Sequence, residues 1–152
     1  MSYPGKAIIT YYANTVATSL PTGTNTAVNF DTIDYNNTIG NATIGLTISS
    51  GNTFTNTSGY GMIVYVSYFV TISVPNTTGM RYSSILKNGS YVYGNAEQST
   101  YSASADYIRN NGSCCIYLLP NDYLQIRYWQ NSGTTMSLQT GYNNNSLTFC
   151  VL

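Results

Sequence analysis

Any chemistry in this chain has to be done without histidine. None occurs among its 152 residues, which removes Ser-His-Asp and Cys-His nucleophilic arrangements and every imidazole-held zinc site. The acids are Asp31, Asp34, Glu97, Asp106 and Asp122. A glycosidase needs two facing carboxylates, but Asp31 and Asp34 are three apart, and on a strand odd spacings face opposite ways. Calcium wants roughly six to eight oxygens, several of them carboxylates, so a site around Asp106 or Asp122 is poorly supplied. There is no GxxxxGK[ST] loop and no GxGxxG. The expectation is a protein that is not an enzyme and needs no cofactor or metal.

Three cysteines remain, Cys114, Cys115 and Cys150. The adjacent pair is not a CxxC motif. On a strand its two side chains point to opposite faces, so at most one could meet Cys150. Buried free thiols acting as small hydrophobes are one reading, and a bridge from Cys150 to one of the pair is the other. Seven Asn-x-Ser/Thr sequons occur, at Asn36, Asn41, Asn56, Asn76, Asn88, Asn111 and Asn144. A chain this rich in Asn, Ser and Thr makes them by chance, and that reading is preferred to glycosylation. The 16 tyrosines are strand formers and adaptable contact groups. Tyr91, Tyr93, Tyr101 and Tyr107 are expected to cluster in loops as the ligand contacts.

The elements that position these residues read as strands. Charged residues are only 7% of the chain, against about 25% in typical domains, yet aromatic and β-branched residues abound, which argues against disorder. The strongest strand is Met62–Ser73. Its even positions Met62, Val64, Val66, Tyr68, Val70 and Ile72 form one face; Ile63, Tyr65 and Phe69 stand on the other. A strand apolar on both faces must be covered on both, and a second subunit is a natural cover. Further strands are expected at 7–14, 27–35, 43–48, 82–92, 113–119, Tyr123–Gln130 and a C-terminal run in which Leu147, Phe149 and Val151 share a face. Turns are expected at Pro21-Thr22-Gly23, Gly51-Asn52, Asn88-Gly89, Pro120-Asn121-Asp122 and Asn131-Ser132-Gly133. Residues 1–6 read as a linker or remnant ahead of one domain, 7–152.

Net charge is zero. The five basic residues, Lys6, Arg81, Lys87, Arg109 and Arg127, are scattered, so no nucleic-acid footprint is expected. No stretch approaches the ~20 apolar residues of a membrane span, so no membrane insertion is expected. The first residues show no basic start followed by an apolar run, so no secretory signal is read there.

Several segments resemble one family in their order. Phe54, Gly61 and Met62–Ser73 resemble its "F-x-V-P-x-x-G-x-Y-x-F" entry strand in degraded form. Gly79-Met80-Arg81 through Ile85-Leu86-Lys87-Asn88-Gly89 is similar to its "G-x-R-x-x-x-I-x-x-N-G" hairpin. Leu118 through Ile126 resembles "L-x-x-G-D-x-V-x-V", with Asn121 in place of Gly. Trp129-Gln130-Asn131-Ser132-Gly133 matches an "x-Q-N-S-G" turn. Ser146 to Leu152 resembles the closing "S-x-F-x-G-x-L-L", with Cys150 in place of Gly. These are the C1q-like globular heads, relatives of the tumour-necrosis-factor fold, and the match spans roughly residues 50–152.

The resemblance implies an all-β, C1q/TNF-like jelly-roll β-sandwich of about ten antiparallel strands, built as a homotrimer. It implies that the first, the last and the long middle strand form the sheet nearest the three-fold axis. Tyr65, Phe69, Phe149 and Val151 are then the expected trimer-interface residues. A collagen-like or coiled stalk ordinarily precedes such a head. The segments 88–112 and 131–145 are expected to form the outer loops. The composition suits a fibre head on a virion or other extracellular particle, recognising a host cell-surface glycan or protein. The alternative is a secreted C1q-like signalling or lectin-like protein.

Overall fold

The computed structural model describes residues 7–12, 17–38, 45–73, 79–99, 107–141 and 143–152. These contain strands and turns and no helix. Thirteen strands follow in order: β1 (Ala7–Tyr12), β2 (Ser19–Leu20), β3 (Thr26–Ala27), β4 (Thr32–Thr38), β5 (Leu46–Ser49), β6 (Thr53–Asn56), β7 (Met62–Ser73), β8 (Gly79–Lys87), β9 (Ser90–Ser99), β10 (Tyr107–Leu118), β11 (Tyr123–Gln130), β12 (Met136–Leu138) and β13 (Asn145–Val151). Ten have four residues or more; β2, β3 and β12 have two or three. All pairings are antiparallel. The fold is a jelly-roll sandwich.

One sheet runs β2-β12-β7-β13-β1-β4, with β10 on the other edge of β7; the second runs β5-β6-β11-β8-β9, with β3 also on β11. The first, last and long middle strands therefore share a sheet, as expected. β7 sits at its centre because twelve alternating residues give it room for two partners. β10 pairs along its whole length, and β13 pairs Val64 to Val70 on the opposite side. The even positions of β7 are buried and Ile63 and Tyr65 are exposed, the facing read from the sequence.

The tight turns have the backbone their residues favour. Ser50-Gly51 joins β5 to β6 and Asn88-Gly89 joins β8 to β9, with both residues of each pair at positive φ, as a type I′ hairpin requires. Asn121 also takes positive φ, at 68°, which Asn tolerates.

Several boundaries differ from expectation. Residues 27–35 are not one strand. The chain leaves β3, and Val28 and Phe30 donate backbone bonds to Ile126 and Gly51 before β4 begins. The strand expected at 113–119 starts at Tyr107, so the segment 88–112 holds β9 and part of β10, and only 100–106, outside the described residues, separates them. Arg109, Asn110 and Asn111 look like loop residues, but Ile108, Asn110 and Gly112 alternate inward. Likewise β12 occupies part of 131–145.

Between the sheets lies a core that includes an aromatic contact. Phe54, from the second sheet, packs against Tyr11 and Phe149 of the first at ring-centroid distances of 5.3 and 4.9 Å, edge-on and tilted geometries that aromatic rings prefer. This corrects the assignment of Phe149 and Val151 to a subunit interface. Phe149 is 1% exposed and belongs to the core of a single copy, as does Val151. Their register partners Val66 and Val64 are the inward residues of β7, and cross-strand partners face the same way.

Polar ties cross the same core. Tyr68 of β7 shares a 2.7 Å hydrogen bond with Ser83 of β8, and Tyr128 of β11 donates to Asn110 of β10 at 2.9 Å. Neutral amides fix the loops. Asn56 is fully buried; its Nδ2 donates to the carbonyls of Tyr60, Leu118 and Leu119, and its Oδ1 accepts from Ser58. Gln130 donates to Leu20 and Thr134 and accepts from Ser132.

Candidate assembly and contact surfaces

The outer face of the first sheet is built from odd positions of β7 and their partners. Its cross-strand rows read Tyr117-Ile63, Cys115-Tyr65-Cys150, Ser113-Ser67-Thr148 and Asn111-Phe69-Ser146. Leu152 closes the first row, its N–H donating to the Ile63 carbonyl at 3.0 Å. Ile63, Tyr117 and Leu152 are 48%, 55% and 60% exposed, and Tyr65 is 38% exposed. Phe69 is half-buried because Arg109 lies over its ring, 4.6 Å from the centroid. The same guanidinium donates to Thr71 and to the Asn143 carbonyl. The face is therefore apolar at the Ile63 end and polar toward Arg109.

All three cysteines are free thiols. Cys115 and Cys150 flank Tyr65 on two separate strands, roughly 9–10 Å apart at two inter-strand spacings. A disulfide needs Cα atoms within about 7 Å. Cys114 turns to the opposite, core-facing side, where burial, and secondarily Cys115, pushes its thiol up.

Of the tyrosines expected to form one contact cluster, the three described ones, Tyr91, Tyr93 and Tyr107, lie on different faces. Tyr91 is on the outer face of the second sheet and is 58% exposed. Tyr107 is exposed on the first sheet, opposite Ser73. Tyr101 lies outside the described residues. Tyr93 faces inward, because a bulge between Ile85 and Leu86 shifts the β8–β9 register by one and so reverses the side-chain facing. It packs on the core beside Gly112, where an added Cβ would stand 2.3 Å from its ring.

A different group assembles around Tyr91. On β11 the outward residues Tyr123, Gln125, Arg127 and Trp129 alternate with the buried Leu124, Ile126, Tyr128 and Gln130. Trp129 pairs with Tyr82, and Arg127 with Ser84. The Tyr82 and Tyr91 rings meet edge to face at 6.0 Å. The Tyr82 hydroxyl occupies the place a Cβ on Gly94 would need, so only glycine permits this arrangement. Arg127 donates twice to Gln125 Oε1 and once to the Asn25 carbonyl, at 3.0–3.2 Å. Asn25 Nδ2 donates to the Tyr91 hydroxyl at 2.8 Å. The alternation on β11 was available as a signal for this surface; the contribution of Asn25, from a distant segment, was not.

Among the described residues no three His, Cys, Asp or Glu side chains gather to hold a metal. Asp122 is committed to Lys87 at 2.8 Å, to the Asn88 amide at 2.6 Å and to the Leu119 N–H at 2.8 Å. These contacts, Lys87 foremost, hold its carboxyl down at about 2. The sequons also divide. Asn56 is buried and fully engaged, and the Asn88 amide is spent on Asp122 and the Tyr123 N–H. Asn144 donates to the Thr140 carbonyl, and Asn111 is exposed beside Phe69. Asn41, Asn76 and the Asn36 side chain lie outside the described residues.

No family model matches the sequence, and no curated protein matches it closely. Solved structures do resemble the fold. A crystal structure of murine APRIL at pH 5.0 aligns with a TM-score of 0.66 at 14% identity, over 97% of this chain and 99% of that one. Eiger TNF from S. frugiperda aligns with a TM-score of 0.65 at 10% identity, over 95% and 91%. The chain has a TNF-like jelly-roll fold.

Proposed function

We propose that this chain is a non-enzymatic head domain that assembles as a homotrimer and recognises a host cell-surface glycan or protein from the surface of a virus or other particle. The carrying observation is the strip of Ile63, Tyr65, Tyr117 and Leu152 on the outer face of the first sheet. Single exposed hydrophobic residues are ordinary on any surface, but contiguous ones mark an interaction site. These four adjoin in two neighbouring rows, on the sheet that the C1q/TNF-like resemblance places at a three-fold axis. A stalk ahead of the head, which the resemblance also implies, would hold three copies in register.

The second reading is a secreted signalling head with a protein receptor. The likeness to murine APRIL and Eiger TNF favours it. Pretreating target cells with glycosidases or with protease divides the two kinds of target by which treatment abolishes binding.

Light scattering tests the assembly. The expected mass is three times 16.6 kDa. Tyr65→Asp and Ile63→Asp should give folded monomers, because a charge is harmless at an already wet position and costly in a dry interface. A monodisperse wild-type monomer at high protein concentration would remove the proposal.

A further inference from the structure

The outer face of the second sheet stays free when copies meet through the first, and its central group is built for a ligand. We propose that Arg127, Tyr82, Tyr91 and Asn25 form a binding site for an acidic sugar, the carboxylate on Arg127 and the pyranose ring against Tyr91. The inference rests on the reading of the chain as a recognition head and names the chemistry of its ligand.

Charge comes first. Lys87 is paired with Asp122. Arg127 contacts a neutral amide oxygen and a backbone carbonyl, never a carboxylate. A guanidinium has five N–H donors in a fixed fork. Three contacts are made, so two donors remain, held in orientation by Gln125 and Asn25. Gln125 is itself anchored, donating to Thr53 at 2.9 Å. A fork pre-oriented in this way suits a planar carboxylate, which accepts two parallel bonds. One guanidinium amid neutral side chains does not suit a polyphosphate backbone.

The surroundings select a sugar. Tyr91 is more than half exposed and its ring is braced by Tyr82 and by the Asn25 amide. The C–H faces of a pyranose are apolar and lie flat on such a ring, while its hydroxyls need amide and hydroxyl partners. Asn25 Oδ1 and the hydroxyl of Ser84, the register partner of Arg127, are buried without hydrogen-bond partners. Both are sealed from the surface, so a sugar hydroxyl reaches them only as the side chains above them turn aside, a change that the standing penalty of an unsatisfied buried polar group favours.

The test uses the whole protein with oligosaccharides ending in sialic or glucuronic acid, their neutral counterparts, and the methyl esters of the acidic ones. Titration calorimetry should show binding of the acids and little of the esters or neutral sugars. Arg127→Gln and Tyr91→Ala should each weaken it roughly tenfold or more, the scale of one lost charge-assisted contact, with the mass by light scattering unchanged. Esterification needs no variant, so the inference stays exposed even if Arg127→Gln misfolds. Equal binding of acid and ester, binding of neutral sugars alone, or binding of a phosphopeptide and no sugar would each overturn it. Failure with the trimer intact would leave the assembly standing, whereas a monomer that binds acidic sugar would leave the site standing alone.

Discussion

Replacing Tyr68 with Phe should reverse sign in its effect on stability as the pH rises. Burial pushes the Tyr68 phenol up to about 12 from 10.0, with the Ser83 hydrogen bond pulling the other way and Tyr93 and Tyr82 adding to the rise. At pH 8 the phenol is neutral in the folded and unfolded chain. Tyr68→Phe then loses the cross-sheet bond and strands the Ser83 hydroxyl, which is fully buried, for a cost of about 1–2 kcal/mol. Above pH 10 the unfolded chain releases the phenolic proton and the folded chain keeps it. Each pH unit between the two pKa values removes about 1.4 kcal/mol from the wild type and nothing from the variant. The wild type should lead at pH 8, be about level near pH 11, and trail as pH 12 nears. Urea unfolding followed by far-ultraviolet circular dichroism, at one protein concentration, reads the difference. Tyr11, whose phenol burial also pushes up, is common to both proteins and cancels. A difference that stays constant from pH 8 to 11.5 would mean that the hydroxyl is not sealed between the sheets.

Phe149→Asp should behave unlike Tyr65→Asp. It places a carboxylate against Tyr11 and Phe54 and should unfold the single chain, at a cost of several kcal/mol; a folded monomer by circular dichroism would return Phe149 to the surface. Asp122→Asn concerns the acid limb. A carboxyl depressed to about 2 contributes stability that is present above pH 4 and lost as pH falls toward 2. The variant should therefore show a flatter dependence of melting temperature on pH between 4 and 2, and an unchanged slope would show that the Lys87 pairing does not persist in solution.

The alternation of Met62–Ser73 was legible because a sheet-centre strand obeys a period of two without interruption. The same periodicity set Leu147, Phe149 and Val151 on one face but could not say which face. That depends on register with β7, where Phe149 meets Val66 and Cys150 meets Tyr65, and register is a long-range fact. Tyr93 was lost to a bulge, which reverses facing by inserting one residue without any composition signal. The start of β10 was hidden because Asn110, fully buried, is a polar residue whose partner is Tyr128 of the opposite sheet. Reading it as core requires knowing that partner.

The low charge of the chain has a structural counterpart in how its polar groups are used. Asn56 and Gln130, whose amides carry no charge at any ordinary pH, close loops by hydrogen bonds in place of ion pairs. With no histidine, no side chain has its ordinary pKa between pH 5 and 8. The Lys87–Asp122 ion pair joins the end of β8 to the turn before β11 and is partly open to water, where salt screens it and its worth is small. The framework should therefore be nearly indifferent to salt and to pH across that range. Recognition through one oriented guanidinium behaves oppositely, weakening with ionic strength. In such a head, added salt weakens the grip on a charged ligand and leaves the sandwich presenting it unchanged.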